Sequence, residues 1–80
     1  MAKFSIWAVV RRNPDGQYRV RVRAMPLHDR GGLMAQDDLS EIAPDLAQAT
    51  ALRDRFIGAL RMKVIARGGT IESVDATIDT

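Results

Sequence analysis

Cysteine is absent from the 80 residues. That excludes disulfides, thiol nucleophiles and zinc held by thiolates. Histidine occurs once, at His28, whereas a metal site or a proton-transfer pair needs several convergent groups. Asp29 is its neighbour in sequence, which does not make the two side chains face one another, and His28 reads as a surface loop residue. Aromatic residues amount to 5%: one Trp, one Tyr and two Phe. Sheet-type RNA-binding modules stack bases on two or more aromatic rings, and this chain has little material for that. Gly31-Gly32 and Gly68-Gly69 fit neither phosphate-cradling glycine pattern and read as turns. A Gly-x-Ser-x-Gly nucleophile elbow is also missing. The apolar run from Phe4 to Val10 stops at Arg11-Arg12, too short to span a bilayer. Asn13-Pro14-Asp15-Gly16 follows it and reads as a turn, not as a signal-peptide cleavage site. The expectation is a cytoplasmic protein with no cofactor, no metal and no catalytic residues.

What is present suits one small domain over residues 1–80. Apolar residues make up 46% and charged residues 28%, the balance of a folded chain. A chain this short buries roughly 60% of its unfolded surface, so the core is thin and a second subunit is expected. Twelve Lys and Arg stand against ten Asp and Glu, for a net charge of +2. The charge is unevenly placed. Residues 1–30 hold seven basic and two acidic groups, and residues 31–80 hold five basic and eight acidic. A bipolar chain of this kind attracts its own copies or binds a polyanion on one side only.

The clearest local signal is a β-hairpin. Phe4 to Arg11 is rich in β-branched and aromatic residues, and Tyr18 to Ala24 alternates with period two. Pro14-Asp15-Gly16 supplies the turn chemistry, with Gly at the positive-φ position. A three-residue loop pairs Asn13 with Gln17. Counting outward, Val10 meets Val20, Ala8 meets Val22 and Ile6 meets Ala24 on one apolar face. The opposite face pairs Arg11 with Arg19, Val9 with Arg21 and Trp7 with Arg23. A one-residue slip would turn the arginines into the core, so the parity is well specified.

The rest of the chain is read more coarsely. Met25-Pro26 ends the second strand, and His28 to Gly32 reads as a loop. Residues 33–36 are open between a short third strand and more loop. Asp38 to Ala43 reads as a short helical turn before Pro44. Asp37, Asp38 and Glu41 then form an acidic cluster suited to a helix start rather than a cation site. The main helix begins after Asp45, whose spacing to Gln48 resembles a capping box. Leu46, Ala49, Leu52 or Arg53, Phe56, Leu60 and Val64 form its apolar stripe. Val64 to Ala66 is read as a brief strand rather than a last helical turn. Thr70 to Ile78 is a final edge strand, with Glu72, Val74, Ala76 and Ile78 on one face and Ile71, Ser73, Asp75 and Thr77 on the other. The predicted fold is α+β in two layers, an antiparallel sheet of three to four strands (β-β-(β)-α-β in sequence) on one main helix.

One helix covers one sheet face, so the other is left over. It carries Trp7, Val9, Arg11, Arg19, Arg21 and Arg23, the candidate interaction face. Trp and Arg are enriched at protein hot spots, and guanidinium groups also grip phosphates. The functional expectation is a non-enzymatic protein-interaction module that self-associates as a homo-oligomer. The exposed edge of the final strand, or a helix contact, is favoured over the arginine face as the self-contact. The alternative is a nucleic-acid-binding or antitoxin-like regulatory domain using the basic face. In its order of hairpin, loop, helix and strand the chain resembles small antitoxin domains of the HicB type, which implies a sheet and helix partly like those of double-stranded-RNA-binding domains. The resemblance is one of layout. Where those domains carry a Pro-Asp-Leu-Pro-Gly-like segment, this chain has Met25-Pro26-Leu27-His28-Asp29, and no site residue is carried over.

Overall fold

Two long strands and a tight loop make the centre of the sheet. In the computed structural model, which describes residues 3–27 and 37–79, β1 (Lys3–Arg12) pairs antiparallel with β2 (Tyr18–Pro26). The register is the one that the loop chemistry predicts, with Val10 opposite Val20, Ala8 opposite Val22 and Trp7 opposite Arg23. Asn13 N–H donates to the Gln17 carbonyl at 2.7 Å, and Gln17 N–H donates to Asp15 Oδ1 at 2.9 Å. Gly16 takes a φ of 88°, which a residue with a Cβ rarely adopts.

Residues 37–43 form a strand rather than a helical turn. β3 (Asp37–Ala43) pairs antiparallel with β2, Asp38 opposite Arg23 and Leu39 opposite Val22. Its alternation sends Leu39 toward the helix and Asp38 toward the arginines. Ladder hydrogen bonds and these cross-strand pairs outweigh the local helical preference. The possible strand at 33–36, along with His28 and Gly31-Gly32, lies outside the described residues.

The helix α1 (Leu46–Ala66) starts where the cap chemistry puts it. Asp45 accepts from Gln48 N–H at 2.7 Å, and the Gln48 side chain donates to the same carboxylate at 3.1 Å. Ala49, Leu60 and Val64 are buried on the sheet, with Leu52, Phe56 and Ile57 packed around them. Val64 to Ala66 is the last helical turn, not a strand. Gly68 N–H reaches the Ile65 carbonyl at 3.0 Å and Gly69 N–H the Val64 carbonyl at 2.9 Å. With Gly68 at φ 78°, this is a Schellman cap, and it satisfies carbonyls that a strand start would leave to other partners.

β4 (Thr70–Asp79) lies beside β1 at the sheet edge, giving the order β3-β2-β1-β4. It runs parallel to β1, so the sheet is mixed rather than wholly antiparallel. A 21-residue helix spans about 30 Å, the length of a ten-residue strand. It carries the chain back to the end of the sheet where β3 began, and β4 must then run in the direction of β3 and β1. The ladder shifts between Phe4 and Ser5, so Ile71 pairs with Phe4 but Ser73 pairs with Ser5. Glu72 is the extra residue of this bulge. It puts Ile71 on the same face as Val74, where strict alternation predicts opposite faces.

The core is one layer between helix and sheet: Phe4, Ile6, Ala8, Val10, Val20, Val22, Ala24, Ala43, Ala49, Leu60 and Val64. This is the two-layer α+β arrangement. No helix among the described residues is long and apolar enough to cross a membrane.

Candidate functional site

On the face away from the helix, strand register arranges side chains in rows across the sheet. Ile42, Arg19, Arg11 and Asp79 share one row. Ser40, Arg21, Val9 and Thr77 make the next, and Asp38, Arg23, Trp7 and Asp75 the third. The hairpin places the basic and apolar residues in the middle. The two edge strands border them with carboxylates, Asp38 on β3 and Asp75 and Asp79 on β4.

The six residues singled out from the sequence, Trp7, Val9, Arg11, Arg19, Arg21 and Arg23, line one depression of about 240 Å³. They converge because they occupy alternate positions on two paired strands, the only way period-two residues can share a face. Trp7 is 49% exposed, yet its orientation is held. Its indole N–H donates to Ser5 Oγ at 3.1 Å, and Ser5 Oγ lies 2.8 Å from Ser73 Oγ on β4. A serine hydroxyl accepts and donates at once, so the buried Ser5 ties the indole to both central and edge strands.

The arginines are not a bare positive patch. Asp38 accepts from Arg21 Nη2 at 2.7 Å and Nε at 3.2 Å, and lies 3.6 Å from Arg23 Nε. Arg11 pairs with Asp79 at 3.5 Å. The hydrogen bond from Arg21 holds the Asp38 carboxyl below the usual carboxylate range, helped by the charges of Arg21 and Arg23 against a partly opposing burial. The same bond raises the Arg21 guanidinium further, keeping it cationic. Arg19 sits between Ile42 and Arg11 and is exposed.

Other sequence candidates do not gather. Asp38 points to the open face, while Glu41 lies opposite the buried Val20 on the helix side, so strand alternation separates the acidic cluster. Among the described residues no group of three or more His, Asp or Glu is placed to hold a metal ion. Sequence reasoning missed Asp38, Asp75 and Asp79 as members of the arginine face. Sequence offered no signal for Asp38, because the apolar residues of 37–43, Leu39, Ile42 and Ala43, fall at helical rather than period-two spacing. A second depression of about 300 Å³ lies between β3 and the helix, bordered by Glu41, Pro44, Gln48 and Arg55; its lining is mixed and carries no convergent pair of reactive groups. No protein-family model, no curated protein and no solved structure matches the chain.

Proposed function

We propose that this domain is a non-enzymatic protein-interaction module that self-associates and offers its open sheet face to a protein partner. The observation that carries the reading is the half-exposed Trp7 in a depression whose arginine walls are already matched by Asp38 and Asp79. An indole among guanidinium groups is hot-spot chemistry. Arginine stems give apolar contact, and their forks take carboxylates in defined geometry. A partner presenting an apolar side chain to Trp7 and Val9, with a carboxylate toward the exposed Arg19, fits the face.

Nucleic-acid binding is the second reading, favoured by Arg11, Arg19, Arg21 and Arg23 on one face. It predicts strong salt dependence, because each neutralised phosphate releases counterions. Three or four phosphate contacts give a log–log slope of roughly −2 to −4. Fluorescence anisotropy with mixed-sequence single- and double-stranded probes separates the two. The expected result is no salt-dependent binding at roughly 10–100 µM protein, the range of ordinary non-specific association. Binding with the slope above, abolished by charge reversal at Arg21 and Arg23, replaces the protein-interaction reading with the nucleic-acid one.

A further inference from the structure

We infer that a second copy of this chain adds to the sheet through β4, antiparallel and two-fold symmetric about Ala76. The inference rests on the reading of the domain as self-associating, and it names the contact. β4 is an edge strand ten residues long, against seven for β3. Its outer backbone groups face no strand among the described residues, which makes them a template for pairing. The helix packs mainly on β2 and least on β4. In consequence Ala76 is exposed and Ile78 is 47% exposed on the apolar side of the sheet, while Val74 is half-buried.

Charge selects the register. A two-fold axis normal to the sheet keeps both helices on one side, so each residue must face a residue of its own parity. Centring on Asp75 sets that carboxylate against its own copy, and centring on Thr77 sets Asp75 against Asp79. Centring on Val74 or lower carries the pairing across the bulge at Glu72, and centring on Ile78 leaves only a short overlap. Centring on Ala76 pairs the whole regular stretch from Ser73 to Asp79. Val74 then meets Ile78 twice on the apolar side, Ala76 meets its copy at the axis, Asp75 meets Thr77 and Asp79 meets Ser73. No carboxylate lies directly opposite another. The result is a continuous eight-stranded sheet with Trp7 left open on its far face.

The test uses the full chain, whose lack of cysteine makes single-site crosslinking unambiguous. Light scattering of the unmodified protein is expected to give twice the 8.9 kDa of one chain. Ala76→Cys is expected to form an interchain disulfide on mild oxidation, and Ser73→Cys, whose copies lie far apart in this register, is not. Thr77 faces the partner's Asp75, so Thr77→Lys tightens the dimer and Thr77→Asp loosens it, each by roughly two- to thirtyfold for two symmetric pairs. Ala76→Lys sets two cations face to face and is expected to return the mass to one chain with unchanged circular dichroism. A single-chain mass for the unmodified protein at high concentration overturns self-association itself. A dimer in which Ser73→Cys crosslinks as readily as Ala76→Cys, or in which both Thr77 variants act alike, overturns the β4 register and leaves self-association standing.

Discussion

Gly69 has no room for a side chain. A Cβ there would lie 2.8 Å from Phe4 Cε1 and 3.0 Å from Val64 Cγ1. Both neighbours are fully buried core residues, so neither can swing into solvent. Gly69→Ala is expected to destabilise the domain by about 1–3 kcal/mol, the usual cost of overpacking, read as a lower urea midpoint. Asp38 gives a different residue-scale prediction. Its folded pKa is depressed, so its contribution is complete above the unfolded value of about 3.9 and is lost as pH falls through the lower folded value. A carbon NMR titration should place its midpoint below that of an ordinary carboxylate, and Arg21→Gln should move it upward. An Asp38 midpoint at the ordinary value would contradict the Arg21 pairing. Because the pair is exposed, the accompanying loss of stability in acid is expected to be small.

At the scale of elements, α1 is held by its caps and by one packed stripe, not by its composition throughout. Gly58 sits in its interior, and among the described residues nothing beyond its chain neighbours and the helix's own backbone lies within 4 Å of where a Cβ would stand. Gly58→Ala is therefore expected to stabilise the protein by about 0.5–1 kcal/mol, because glycine loses more backbone freedom on folding. A thermal melt moving down instead of up would show an unrecognised constraint at that turn. The hairpin and the helix start were legible locally because loop length, turn chemistry and a capping carboxylate each dictate geometry within a few residues. β3 was not. Asp38 to Ala43 suits a helical turn as well as a strand, and the decision came from pairing with Arg21 and Arg23, which are distant in sequence. Strict alternation puts Ile71 on the wrong face for a related reason. A bulge shifts parity without marking the sequence, and here it answers to the packing of Ile71 beside Phe4.

At the scale of the whole fold, one helix over four strands among the described residues leaves two kinds of surface there: a sheet face that the helix does not cover, with Trp7 at its centre, and a β4 edge with its apolar side only partly roofed. A single tryptophan reports on them separately. Self-association through β4 is expected to leave the emission maximum and acrylamide quenching of Trp7 unchanged as protein concentration rises through the dimerisation range. Docking of a partner on the arginine face is expected to shift emission to the blue and reduce quenching. A blue shift on self-association alone would place the self-contact on the sheet face instead of the edge.

The alternation of Tyr18 to Ala24 and the turn at Pro14 to Gly16 by themselves determined the hairpin register, and with it the convergence of Trp7, Val9 and four arginines on one face. Local rules suffice there, because the side-chain period of a strand and the span of a tight loop leave no freedom. Only the tertiary structure decided that β4 runs parallel to β1, that Glu72 bulges, and that Asp38, Asp75 and Asp79 border the arginines. Those outcomes depend on how far a 21-residue helix carries the chain and on which strand it then meets, distances that no window of sequence contains.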